Sequence, residues 1–300
     1  MLPLMKSKKI IKSLKTKTTC AYDGISNRII KLRAPFMISP LRYICNAVLS
    51  PGVFPDKLKY ATVKSIFKKG DKHDISNYRP ISFLTSFSKI IEKLIYTRLH
   101  THIDMNGILV LEQLGSQSHY SIEQAAFNLI NSILTAMNNS LLVGGFFCDL
   151  QKAFDCVNHK ILLQKLEFYW VEGKFKALIA SYLTGRYQRV ALDNITDNSN
   201  SSKWEMIKCG VPQGSILGPL FFLIYINDLT PLINKDNNMV LFVDDTSIII
   251  TDSNRWDFNI NANQIFHDIN TWFNINLLTL NLNKTQYIEF RTKNYHNVNT

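Results

Sequence analysis

Phe147-Cys148-Asp149-Leu150-Gln151-Lys152-Ala153-Phe154-Asp155 decides how this chain is read, together with Phe242-Val243-Asp244-Asp245 much further on. In each stretch a hydrophobic, strand-like run ends in carboxylate, which an apolar run has no structural reason to carry. Bare carboxylates in a partly desolvated cleft are costly, so divalent cations bridged by them are the simplest explanation. Oxygen ligands favour magnesium or manganese over zinc. Three neighbouring carboxylates suit two cations about 3.5–4 Å apart, one activating an attacking oxygen and both stabilising a transferred phosphate. Asp149 and Asp244 are the expected ligands, with Asp245 as a third or as a support for them. Asp149 is expected to end a strand over 141–150, and Asp244-Asp245 to form a hairpin tip between the runs 239–243 and 246–250. Antiparallel packing would join the two. The competing reading is an acidic turn and a strand-end aspartate that coincide by chance.

These acidic stretches sit in a basic chain. Its 300 residues include 34 Lys or Arg and 23 Asp or Glu, a net charge of +11. Residues 1–69 hold 15 of the cations against only Asp23 and Asp56. A basic front feeding a near-neutral, carboxylate-bearing body suits a polyanion gripped upstream and worked on downstream; a lysine-rich solubilising start is the plainer explanation. The hydrophobic fraction of 46% supports one large core or two smaller ones and argues against overall disorder. Cys20, Cys45, Cys148, Cys156 and Cys209 are odd in number and lack paired metal spacing. They read as reduced thiols of an intracellular protein, nuclear or cytoplasmic. The basic front has no legible secretory signal, and the apolar run 221–226 is too short to cross a bilayer, so no membrane attachment is expected.

Along the chain, residues 1–19 read as a basic lead without a fold of its own. Helices are expected over 36–50, stopped by Pro51-Gly52; over 86–103, with Glu92 and Lys93 on its surface; and from a capping box at Ser121-Ile122-Glu123-Gln124. A strand over 60–67 runs into the basic turn Lys68-Lys69-Gly70-Asp71, and Pro80 keeps Arg79 extended. Later helices are expected over 158–172, 174–183 and 215–229, with a polar loop over 193–202. A final helix uses Ile265, Ile269, Trp272, Phe273 and Leu277, and a last strand covers 286–290.

Several residues fit around the carboxylates. Phe154 has the size to cover a nucleotide sugar and reject a 2′-hydroxyl by clash, or simply to fill the core. Gln213-Gly214, after Pro212, pairs a polar side chain with a residue that lets backbone approach a base or template strand; a structural turn is the alternative. Lys64, Lys68 and Arg79 are candidates for triphosphate or template phosphates, against ordinary solvated charge. Lys284 is a candidate to protonate leaving pyrophosphate or balance its charge.

Taken in order, Asn77 to Ser82 (NYRPIS), Phe147 to Asp155 (FCDLQKAFD), Gly210 to Pro219 (GVPQGSILGP), Phe242 to Asp245 (FVDD) and Asn283-Lys284-Thr285 (NKT) resemble the reverse transcriptase domain of non-LTR retrotransposons of the jockey-like or LINE-like group. The resemblance implies an α+β right-hand polymerase. Residues 20–138 would be fingers-like and 139–293 palm-like, with an antiparallel palm sheet packed on helices, a polar tail over 294–300, and no thumb or upstream endonuclease. By resemblance, Asp149, Asp244 and Asp245 are catalytic and hold Mg2+, or Mn2+. Phe154, Gln213, Gly214, Arg79 and Lys284 fall on nucleotide- or template-handling positions. The implied reaction is attack of a DNA primer 3′-hydroxyl on a dNTP, directed by an RNA template. The departures are Val243 in place of the usual Ala and a fingers signature kept only in Gly115-Ser116-Gln117 and Ser121-Ile122-Glu123. The chain is therefore expected to be a fragment or decayed copy. An inactive nucleic-acid-binding remnant and an RNA-templated RNA polymerase are the alternative functions.

Overall fold

Two four-stranded sheets organise the chain. The computed structural model describes residues 4–16, 18–115, 122–192, 200–233 and 238–291. Among these the strands are β1 (Tyr60–Phe67), β2 (Tyr78–Leu84), β3 (Leu142–Cys148), β4 (Arg186–Val190), β5 (Glu205–Ile207), β6 (Asn238–Phe242), β7 (Asp245–Asp252) and β8 (Gln286–Phe290). Their spatial orders are β2-β1-β4-β5 and β6-β7-β3-β8. The chain divides into two units, Met1–Asn106 with Val157–Phe221, and Gly107–Cys156 with Phe222–Thr300. The fold is α+β.

In the first unit β1 pairs antiparallel with β2, from Ala61↔Leu84 to Phe67↔Tyr78, and parallel with β4. Pro80 cannot donate to a ladder, and β2 accommodates it as an edge strand. Thr85 caps the next helix, Ser86–Met105, accepting from the Ser88 amide at 3.1 Å. Of the positions that helical spacing puts on its apolar face, Ile90, Ile91, Leu94, Ile95 and Leu99 are buried and Phe87 is half-buried. Glu92, expected on the surface, is instead fully buried. Its carboxylate accepts from Ser88 Oγ at 3.0 Å and from the backbone amide of Ile216 at 2.8 Å. Hydropathy spacing could not reveal this, because the partner lies far along the chain.

The basic lead also departs from expectation. Leu4–Ser13 is helical, and Ile10, Ile11 and Leu14 are buried; the lysines between them obscure this narrow apolar stripe. The helix expected over 158–172 spans only His159–Phe168. Asn158 caps it, accepting from the amides of Lys160 and Ile161, and Trp170 ends the turn beyond it with a φ of 59°.

In the second unit the four strands of the sheet pair antiparallel with one another. On one face, Val143 and Ile249 pack with Leu129, Ile133 and Met137 of helix Ile122–Asn138. On the other, Phe146 meets Phe266 of helix Arg255–Ile275. Gly144 has a packing reason, since a Cβ there would come within 2.8 Å of the fully buried Phe258 ring. Leu277 lies past this last helix, more than half exposed.

The segment expected as one helix over 215–229 is a buried helix Gly218–Ile226, a 3-10 turn Asn227–Leu229 and a short helix Thr230–Ile233. It starts late because Ser215 Oγ accepts from the Gly218 amide at 2.9 Å. Ser121, residues 193–199 of the expected loop, and the tail 294–300 lie outside the described residues. Among the described residues no helix is long and apolar enough to cross a membrane. All five cysteines are free thiols.

The buried carboxylate gives a stability test. Glu92→Ala removes the acceptor of the Ile216 amide and of Ser88 Oγ, at about 1–3 kcal/mol for each buried donor left unpaired. Urea denaturation should show a loss of about 2 kcal/mol or more, and Glu92→Gln, whose amide oxygen still accepts, should lose clearly less.

Candidate active site

The carboxylates lie in the second unit, at one end of its sheet. The β3–β7 ladder runs from Leu142↔Asp252 to Cys148↔Thr246. Asp149 comes one residue past that last pair, and the same register continued by one residue sets it against Asp245. Strands β6 and β7 meet at Phe242↔Asp245, so the hairpin connection is Val243-Asp244. This corrects the expected turn by one residue: Asp245 opens β7 and is exposed, and Asp244, half-buried, shares the tip with Val243.

Asp149 is held from the segment that precedes β8. Its backbone carbonyl accepts from the Asn281 amide at 2.8 Å, and its own amide donates to Thr285 Oγ1 at 3.3 Å. Its Oδ2 accepts from Asn281 Nδ2 at 2.9 Å and lies 3.5 Å from Lys284 Nζ. Lys284 therefore stands as a counter-charge to Asp149 in this structure. The side chain of Asp149 keeps 33% of its surface accessible, so the contact is not sealed from solvent. Asn281 was missed in the sequence, where a lone polar residue in an Asn-rich stretch carries no signal, and Thr285 was noted only as part of the NKT motif, without a role. Phe154, half-buried in helix Ala153–Cys156, stacks on the buried Phe222 ring with centroids 5.1 Å apart. Burial pushes the Cys148 thiol up to about 12, so it stays protonated beside Asp149.

The donor set is carboxylate oxygen on two half-buried residues and one exposed one, chemistry that fits a hard divalent cation. Among the described residues no group of three His, Cys, Asp or Glu side chains is already gathered as a ligand cage.

The remaining candidates belong to the first unit. Lys64 pairs with Ile81 and Ile66 with Arg79. Paired residues share a face and residues two apart share a face, so Lys64 and Arg79 are diagonal neighbours on one face of the β1–β2 ribbon. Lys68 follows β1 and is exposed, its amide donating to the Asn77 carbonyl at 2.9 Å. The loop carrying Gln213 and Gly214 docks on the same ribbon. The Ser82 amide donates to the Gln213 carbonyl at 2.7 Å. Gly214 has a φ of 106°, and a Cβ there would lie 3.0 Å from the Ser82 carbonyl oxygen and 3.5 Å from Ile81 Cγ2.

Both ends of this loop are also pinned. Glu92 holds the Ile216 amide, and His159 Nε2 lies 2.7 Å from the Gly210 carbonyl. A carbonyl only accepts, so Nε2 carries the proton. Burial, aided by the Arg186 charge, lowers the His159 pKa despite the opposing bond to Gly210, which keeps the ring neutral at pH 7.

Against known proteins, residues 66–297 match the family model described as reverse transcriptase (RNA-dependent DNA polymerase). The chain belongs to that family. It is 33% identical over 249 residues to the RNA-directed DNA polymerase from mobile element jockey of Drosophila melanogaster, covering 81% of this chain and 26% of that protein. It is 33% identical over 220 residues to the probable RNA-directed DNA polymerase from transposon BS of the same fly, covering 73% of this chain and 24% of that one. The chain thus spans about a quarter of the length of these relatives. In fold it is similar to a structure of apo telomerase from Candida tropicalis truncated from its C-terminal domain, with a TM-score of 0.56, 15% identity, and coverage of 81% of this chain and 52% of that one. In sequence the chain matches the reverse transcriptase family and RNA-directed DNA polymerases of mobile elements, and in fold it is similar to the telomerase structure.

The Gln213-Gly214 loop can be tested by backbone chemistry alone. Gly214→Ala forces a side chain into a left-handed conformation against the Ser82 carbonyl and should cost about 1–3 kcal/mol in urea denaturation. Gln213→Ala keeps the backbone bond to Ser82 and introduces no left-handed strain, so it should lose clearly less stability than Gly214→Ala.

Proposed function

We propose that this chain supplies the fingers-like and palm-like parts of an RNA-directed DNA polymerase, the first unit handling template and triphosphate and the second carrying the chemistry. The observation that carries this is the β3–β7 register, which brings Asp149 to the hairpin of Asp244 and Asp245 in one sheet of a chain belonging to the reverse transcriptase family.

Asp149 and Asp244, with Asp245 as third ligand or support, are the residues that would hold magnesium or manganese. Such ions, when bound, activate an attacking oxygen and stabilise the transferred phosphate. Asn281 orients the Asp149 carboxylate through its 2.9 Å bond. Lys284, 3.5 Å from the same oxygen, is placed to balance charge on departing pyrophosphate or to protonate it. Phe154, fixed on one side by Phe222, presents its accessible part to the sugar of an incoming nucleotide. On the first unit, Lys64 and Arg79 on one ribbon face, with Lys68 beyond it, supply cations for phosphates. Gly214 beside Ile81 lets backbone approach a base, and Gln213 positions the template. The substrates are an RNA template, a DNA primer and dNTPs, which implies an intracellular site of action, nuclear or cytoplasmic.

Primer extension on an RNA template decides the reading. Magnesium-dependent dNTP incorporation should fall by about a thousandfold or more in Asp149→Asn and Asp244→Asn, equivalent to ~4 kcal/mol of transition-state stabilisation. Chelation of divalent ions should abolish it. RNA binding with no incorporation would instead indicate a nucleic-acid-binding remnant, and a preference for NTPs an RNA polymerase. Phe154→Val should raise NTP use relative to dNTP by about tenfold or more; unchanged discrimination would remove the sugar-guarding role.

A further inference from the structure

The hairpin that carries Asp244 is built around an awkward residue. Val243 has a φ of 59°, a region that two-residue hairpins normally fill with glycine and that a β-branched side chain avoids. Such a conformation persists only where the surroundings enforce it. The surroundings here are residues 112–115 of the same unit.

Strand β6 is an edge strand of its sheet, and this segment covers it in parallel. The Leu241 amide donates to the Glu112 carbonyl at 2.9 Å, and the Leu114 amide donates to the Leu241 carbonyl at 2.9 Å. Between those two bonds lies Gln113, a polar side chain with no accessible surface. Its Oε1 accepts from the Gly115 amide at 3.1 Å and from the Val243 amide at 3.4 Å. One buried oxygen thus ties the strap to the turn residue that precedes Asp244. Gly115 closes the contact from the other side: a Cβ there would lie 2.4 Å from the Val243 nitrogen and 2.7 Å from Val243 Cγ2. No side chain fits at that point.

We propose that Gln113 and Gly115 form a clamp that holds Val243 in its left-handed conformation and thereby sets the direction in which Asp244 presents its carboxylate. Gln113 is a positioning residue and touches no reacting atom. Its effect on turnover rests on the reading of Asp244 as a catalytic ligand, whereas its effect on the turn does not.

The test uses the full chain with Gln113→Met, which keeps volume and removes the acceptor, and Gln113→Met combined with Val243→Gly. Hydrogen exchange followed by mass spectrometry should show the amides of the β6–β7 turn exchanging about tenfold faster in Gln113→Met, with β3 unchanged, as expected for loss of one ordinary hydrogen bond. In primer extension kcat should fall about tenfold with KM for dNTP unchanged. Adding Val243→Gly should recover most of the lost kcat, because glycine takes the left-handed conformation unaided. Unchanged turn exchange in Gln113→Met overturns the clamp, and so does a kcat loss that Val243→Gly leaves in place. If the parent chain extends no primer, the polymerase reading fails, and turn exchange alone upholds or overturns the clamp.

Discussion

The register of β3 against β7 is the constraint on which the rest depends. Each ladder pair from Leu142↔Asp252 to Cys148↔Thr246 fixes the next, and the last of them determines what lies beside Asp149. A slip of one residue would turn Val143 and Phe147 away from the helix they pack on and carry Asp149 to the opposite face. Apolar packing around Val143 and Ile249 therefore enforces the alignment of a polar site. The position of Asp149 is a consequence of apolar burial upstream, and the carboxylate is tolerated because its Oδ2 meets both Asn281 and Lys284.

The first unit solves a different problem, that of holding a glycine-containing loop still without making it regular structure. Its loop is attached at Gly210 by His159, at Gln213 by Ser82, and at Ile216 by Glu92. Each bond engages a backbone group, so the side chain of Gln213 is left half-exposed while the chain around it is fixed. The same unit carries Lys64 and Arg79 on one ribbon face, in keeping with the concentration of positive charge in the first 69 residues.

Much of this was legible in the sequence, for identifiable reasons. Strands β1 and β8 begin and end where their residue patterns say, and the stripe from Ile90 to Leu99 is the buried face of its helix. Family membership followed from ordered motifs. Local pattern failed where a residue's role depends on a distant partner. Glu92 looks like surface charge until Ile216 is beside it, and Gln113 looks like loop polarity until Val243 is beside it. The hairpin tip was displaced by one residue because two adjacent aspartates are a stronger turn signal than a valine, whereas the ladder places Asp245 opposite Phe242. The helix Leu4–Ser13 was missed because its lysines outweigh the buried Ile10 and Ile11.

On the proposed reading, two carboxylates from distant parts of the chain, Asp149 and Asp244, hold a common divalent cation. The most direct test is anomalous X-ray scattering from crystals of the chain soaked in manganese. The account predicts a manganese peak within about 2.0–2.2 Å of carboxylate oxygens from both Asp149 and Asp244. Manganese bound to neither, or to only one of them at every site, would contradict it.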